Sequence, residues 1–126
     1  MPTPRDTSWR QRKGLHFELT ALRHLQEHGF VLLTRNYRCK MGEIDLVMQD
    51  GSMVVFVEVR FRARLQHGRP QETVTSAKQA RLRRAAHHFL LWHPHLRNAP
   101  CRFDVLALWP DATGDIQLLW IPAAFY

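Results

Sequence analysis

Glu43, Asp45 and Glu58 lie close together in otherwise apolar, β-prone sequence: Gly42-Glu43-Ile44-Asp45-Leu46, then Val57-Glu58-Val59-Arg60. Ionised side chains in a buried strand are costly unless compensated, and a bound cation is the usual compensator for a cluster of one sign. Between the two runs, Asp50-Gly51 is a strong two-residue hairpin signal. A hairpin centred there predicts Glu43 opposite Glu58 and Asp45 opposite Phe56, with Glu58 diagonal to Asp45. Side chains alternate along a strand, so Glu43, Asp45, Phe56, Glu58 and Arg60 are expected on one face. A carboxylate cluster with a cation beside it points to a metal site for phosphodiester chemistry. The competing reading is a salt-bridge ladder on a wet sheet face. Against it stand Val54 and Phe56 on the same face, and the unaided opposition of Glu43 to Glu58.

Glu18 adds to the metal reading. Helical spacing aligns Leu15, Leu19, Leu22 and Leu25 in one stripe, and Glu18 projects within it. It either lies at the stripe's edge, paired with an arginine, or points at the same cation as Asp45 and Glu58. Oxygen ligands of this kind suit Mg²⁺ or Mn²⁺. Basic residues follow the acidic strand: Arg60, Arg62, Arg64 and Arg69, then Lys78, Arg81, Arg83 and Arg84. The helical set reads equally as a solvated face. The set from Arg60 to Arg69 leaves the end of the acidic strand, where it could hold a phosphate backbone without reading sequence.

Histidine offers a second, weaker constellation. His24-Leu25-Gln26-Glu27-His28 matches an inverted zinc-peptidase pattern, with both histidines on one helical face. The motif abuts Gly29 at the helix end, and so short a match arises easily by chance. His87, His88, His93 and His95 read as surface residues, and Trp92, Trp109 and Trp120 as core or interface residues.

The elements that must position these groups follow from pattern. Residues 1–9 form a proline-containing tail expected to be flexible, and 10–126 a single domain. A first helix runs from Ser8 or Trp9 to His28, closed by Gly29. Strands are predicted at Phe30 to Tyr37, Gly42 to Met48 and Met53 to Phe61. A polar loop over Arg62 to Glu72 leads to a helix from Thr75 or Ser76 to Trp92. Phe103 to Trp109 is a fourth strand and Ile116 to Ile121 a fifth. The connection through the second helix is long enough for a parallel crossover, whereas the first three strands are antiparallel. The expected class is α/β, with a mixed central sheet flanked by helices.

Composition sets the outer bounds. The chain has 126 residues, enough for one domain with a real core, and carries a net charge of +7, mostly from arginine. Such a balance suits a polyanionic partner, and also fits a membrane surface or an acidic protein. Cys39 and Cys101 have neither zinc-site spacing nor a disulfide framework. The N-terminal residues lack a signal-peptide pattern, and no apolar run approaches the roughly 18 residues that span a bilayer. A soluble, cytoplasmic protein with no membrane role is expected.

The acidic residue, hairpin and Glu-X-basic segment resemble the PD-(D/E)XK nuclease superfamily. More closely, the chain resembles the YraN family of endonuclease-like proteins, similar to archaeal Holliday-junction resolvases. The likeness rests on Gly14 with Glu18, on Arg35-Asn36-Tyr37, on Gly42-Glu43-Ile44-Asp45-Leu46, and on Phe56-Val57-Glu58-Val59-Arg60 with Arg62. It extends to Gly68, Pro70, Lys78 and Arg102-Phe103-Asp104-Val105. It implies a restriction-endonuclease-like αβββαβ core with one extra C-terminal strand, and Glu18, Asp45 and Glu58 as ligands of Mg²⁺ or Mn²⁺. Glu43 becomes an auxiliary carboxylate, Arg60 an electrostatic stabiliser, and Arg62, Arg64, Arg69, Lys78 and Arg81 contacts to DNA. Junction-cleaving relatives are dimers, so a homodimer is an expectation by analogy.

One departure stands out. The signature lysine of the superfamily is Arg60 here. A guanidinium is larger, forked and always protonated, so it can stabilise a charged phosphate but cannot readily help deprotonate water. Three functions follow: a metal-dependent DNA endonuclease for branched or damaged DNA, a non-catalytic nucleic-acid-binding module that keeps the fold, or a protein-interaction domain with a basic face.

Overall fold

The computed structural model describes residues 9–62 and 74–126, with side chains from His16 onward. Within them α1 (Trp9–Glu27) precedes three strands, β1 (Val31–Cys39), β2 (Gly42–Asp50) and β3 (Met53–Phe61). Then come α2 (Ser76–Leu91), a short 3-10 turn at Pro94–Leu96, β4 (Cys101–Pro110) and β5 (Ile116–Phe125). The five strands form one sheet in sequential order, β1-β2-β3-β4-β5. Only the β3–β4 pair is parallel, and α2 makes the crossover between them. This is the α/β arrangement with an αβββαβ core and one added strand.

The two helices cover opposite faces. Phe17, Ala21, Leu22 and Leu25 of α1 pack on Leu46, Met48, Val55, Val57, Leu106 and Leu108. Leu82, Ala85, Ala86 and Phe89 of α2 pack on Ile44, Val47, Val54, Phe56, Phe103 and Val105. Central strands buried on both faces read as nearly continuous apolar runs, as β3 and β4 do. The α1 stripe differs from the leucine alignment expected above: Leu19 is 39% exposed, whereas Phe17 is buried. Phe17 stacks on Phe61 with ring centroids 3.8 Å apart, and this aromatic pair sets the rotation of the helix.

The hairpin register also differs. Asp50 pairs with Met53, so the turn is Gly51-Ser52 rather than Asp50-Gly51. Gly51 takes φ +59°, a conformation that glycine adopts freely at the first turn position and most residues avoid. Glu43 is consequently not opposite Glu58, nor Asp45 opposite Phe56; Phe56 faces Val47.

At the C-terminal edge, β5 runs on past Pro122 to Phe125, which an edge strand tolerates. Its pairing with β4 shifts between Phe103 and Val105, and Ala123 there adopts φ +50°. Asp104, fully buried, fills the irregularity. It accepts from the Ala123 amide at 2.9 Å, the Trp120 indole at 2.9 Å, and Arg102 at 3.0 and 3.2 Å. Buried charge satisfied by four donors ties β5 to β4. The Arg-Phe-Asp-Val run is therefore a structural clasp beside β3: Asp104 pairs with Val57, but its side chain turns to Trp120 whereas Glu58 turns to Lys78.

Of the expected tail at residues 1–9, residues 1–8 lie outside the described residues, as does most of the expected loop, with Arg64, Gly68, Arg69 and Pro70. Trp92, expected in a core or interface, is 69% exposed.

Candidate functional site

β2 changes face across Asp45. Ile44 belongs to the α2 core and Leu46 to the α1 core, although residues two apart in a regular strand share a face. On β1 the matching irregularity is Asn36, at φ +52°. Asparagine is one of the few residues that adopt this conformation readily. The β2–β3 ladder ends at Leu46 and Val57. Beyond it the Val59 amide donates to Asp45 Oδ2 at 2.8 Å. The side chain of Asp45 thus occupies the fork where two strands part.

Glu58 meets Asp45 in that fork. It points toward α2, is 4% exposed, and lies close enough to Asp45 for its charge to act on that carboxyl. Burial, and then the Glu58 charge, push the Asp45 carboxyl up to about 8 against the lowering pull of the Val59 amide. Two basic side chains reach the same oxygen of Glu58. Lys78 Nζ is 2.5 Å from Oε2, and Arg60 Nη1 is 3.4 Å away.

Lys78 comes from the first turn of α2, whose start is fixed by Thr75: the Thr75 hydroxyl accepts from the Lys78 amide at 3.1 Å. At Gly42 the start of β2 comes within van der Waals reach of α2. A Cβ there would stand 3.4 Å from the Arg81 carbonyl oxygen. Around the two carboxylates opens a cleft of about 410 Å³, lined among others by Arg60, Arg62, Lys78 and Arg81. Its floor is acidic and its wall basic.

The other expected members stand differently. Glu18 sits beside Arg35, with Nη2 3.6 Å from Oε1, too long for a hydrogen bond. Among the described residues Glu18 Oε1 is buried without a hydrogen-bond partner. Burial raises the Glu18 carboxyl above its ordinary range, opposed by the Arg35 charge. Glu43 borders the cleft but pairs with Arg38, Oε2 to Nε, at 3.5 Å. Among the described residues, no three His, Cys, Asp or Glu side chains are grouped to hold one ion. The structure brings together Asp45, Glu58, Arg60 and Lys78, and leaves Glu18 and Glu43 with their own arginines.

The histidine pair stays structural. His28 Nδ1 lies 2.9 Å from the His24 carbonyl oxygen, and both rings pack against Trp120.

A sequence model of the uncharacterised protein family UPF0102 matches residues 17–108, a span that includes Asp45, Glu58 and Lys78. The chain belongs to the UPF0102 family. This is the family also called YraN. Among its UPF0102 relatives, the protein from Coxiella burnetii strain RSA 493 is 45% identical over 114 residues, covering 90% of this chain and 92% of its own. The UPF0102 protein of Pseudomonas putida strain GB-1 is 47% identical over 114 residues, covering 90% and 93%. That of Alcanivorax borkumensis is 40% identical over 117 residues, covering 93% and 94%.

Sequence reasoning placed Lys78 among DNA contacts and missed its pairing with Glu58. A signal was present. A lysine in the first turn of a helix opposes the helix dipole, and no acidic residue accompanies it there. An acid outside the helix would relieve that position, by about 1 kcal/mol at most.

Proposed function

We propose that this UPF0102 protein is a divalent-metal-dependent nuclease acting on the phosphodiester backbone of DNA. One observation carries the reading: Asp45 and Glu58 meet at the floor of a cleft walled by Arg60, Arg62, Lys78 and Arg81. Two adjacent oxygen ligands suit Mg²⁺ or Mn²⁺, because Mg²⁺ keeps several waters and commonly binds through one or two carboxylates plus substrate phosphate. The pair fits such an ion chemically. Its mutual repulsion and the proton held at Asp45 are what a cation would relieve. Asp45 and Glu58 would hold the ion, with Glu18 and Glu43 as candidate outer carboxylates. Bound there, the ion would supply a Lewis acid and a more acidic water.

The chain's own groups divide the remaining work. Val59 orients Asp45 through its amide. Arg60 and Lys78 place positive charge beside Glu58, where a phosphate drawn to the ion would sit. Arg62 and Arg81 extend that charge along the wall. Arg64 and Arg69 are proposed to continue the backbone contact. Among the described residues no base-reading device is evident, and recognition is proposed to rest on backbone and shape.

The test is cleavage of single-stranded, branched and duplex DNA with Mg²⁺, Mn²⁺ or EDTA. Metal-dependent cutting that Asp45→Asn abolishes supports the reading. Inert wild type across all substrates and both metals refutes it. One observation favours a second reading, a nucleic-acid-binding module: Glu58 is already neutralised by two basic side chains without any ion. DNA binding unaffected by EDTA and by Asp45→Asn would select that alternative.

A further inference from the structure

The lysine that the nuclease signature places two residues after the glutamate is missing, and Arg60 stands there. The ammonium itself is nonetheless present at the site. Lys78 Nζ lies 2.5 Å from Glu58 Oε2, nearer than the Arg60 guanidinium at 3.4 Å from the same oxygen. Its position is fixed from two sides. Thr75 caps the helix start, and the buried Leu82, Ala85, Ala86 and Phe89 bind the following turns to the sheet.

We propose that Lys78 is the active-site ammonium of this chain: it neutralises Glu58 in the metal-free protein and contacts the substrate phosphate once the carboxylates hold a divalent ion. This rests on the nuclease reading above. The chemistry is electrostatic. A compact charge on a four-carbon stem can exchange one oxygen partner for another nearby, whereas a forked guanidinium keeps a fixed geometry. Were a divalent ion held by Glu58, like charges would push the ammonium away from the carboxylate and toward the open cleft that both share. Arg60 then serves as a fixed wall charge. The site thus holds an ammonium supplied by a different element, across the fold from Arg60.

Two measurements test this, one of them independent of cleavage. Mn²⁺ titration by calorimetry at pH 8.5 compares wild type with Lys78→Met and Arg60→Met. Removing the ammonium that competes for Glu58 should tighten Mn²⁺ binding by about tenfold, and Arg60→Met should change it less. Equal effects, or no change in Lys78→Met, overturn the assignment. Lys78→Gln serves in the same comparison should the methionine variant fail to fold by circular dichroism.

The second measurement is cleavage. Lys78→Ala should lower kcat by about 100-fold or more, the loss typical of one transition-state charge contact. Adding Arg60→Lys to that variant should restore part of the rate by returning an ammonium to Glu58 from β3. Full activity in Lys78→Ala refutes the inference while leaving the nuclease reading intact. Should wild type not cut at all, the nuclease reading falls and the phosphate contact with it, and the Mn²⁺ comparison alone decides whether Lys78 competes with the ion for Glu58.

Discussion

Asp45 accepts a hydrogen bond from the Val59 amide, 2.8 Å from Oδ2, at the point where the β2–β3 ladder has ended. A side chain takes over the role of the neighbouring backbone, and the same carboxyl is thereby pressed against Glu58. Placement of the acidic pair and opening of the strands are one event.

Mn²⁺ should bind the wild-type protein, and Asp45→Asn combined with Glu58→Gln should abolish the calorimetric signal. Both replacements keep shape and hydrogen-bonding capacity, so far-UV circular dichroism should stay unchanged. Binding that survives the double substitution rules out these residues as the metal ligands.

Stability of the metal-free protein should depend on pH through Asp45. Folded, this carboxyl holds its proton up to about pH 8, whereas its ordinary value is 3.8. Between those limits the folded state binds more protons than the unfolded chain. The contribution is therefore fully present below the window, declines as pH rises through it, and is lost above it. Thermal unfolding in EDTA from pH 5 to 8.5 should show a falling Tm. Asp45→Asn should flatten the fall and raise Tm at pH 8.5 by about 5 °C. Parallel profiles for the two proteins would contradict the assignment.

Asp104→Ala should destabilise the protein by about 3–5 kcal/mol, the cost typical of breaking a buried ion pair from one side. It strands the Arg102 guanidinium, the Trp120 indole and the Ala123 amide without their acceptor. Urea denaturation measures the loss. Mn²⁺ affinity of the remaining folded protein should be unaltered, because the clasp lies between β4 and β5. A change below 1 kcal/mol would show that water replaces the carboxylate easily.

DNA binding should weaken steeply with salt and be indifferent to sequence. Arg62→Ala with Arg81→Ala should lower the slope of log K against log salt by about 1.5, two phosphate contacts' worth of released counterions. Fluorescence anisotropy from 50 to 200 mM salt, about the range where such contacts dominate, provides the slope. An unchanged slope would remove the cleft wall from the DNA interface.

The element order and the mixed sheet were readable because apolar runs, Gly29, the Gly51 turn and the Thr75 cap each carry a local signal. The hairpin register was not. Asp50-Gly51 and Gly51-Ser52 are both plausible turn pairs on composition, and only the positive φ of Gly51 at the first position separates them. The change of face at Asp45 was equally hidden. It depends on Asn36 in the neighbouring strand, and strict alternation carries no trace of it. Glu18 was recognisable as an acid on an apolar stripe, but its partner Arg35 lies on β1, a contact that helix periodicity cannot supply. The Lys78–Glu58 pair likewise joins α2 to β3, so it emerges from the crossover and not from any motif.

The order of the strands along the chain has a consequence for how the molecule assembles. β2 and β3 meet across a two-residue turn, so the hairpin carrying both Asp45 and Glu58 closes through local contacts. Val54 and Cys101, partners in the parallel seam, come together only after the α2 crossover has been traversed. Low contact order favours the early step and loop closure delays the late one. During synthesis the acidic fork therefore emerges before the helix that brings its ammonium. The nascent hairpin carries both acids with the Arg60 guanidinium beside Glu58, and the Lys78 ammonium joins them only when α2 docks.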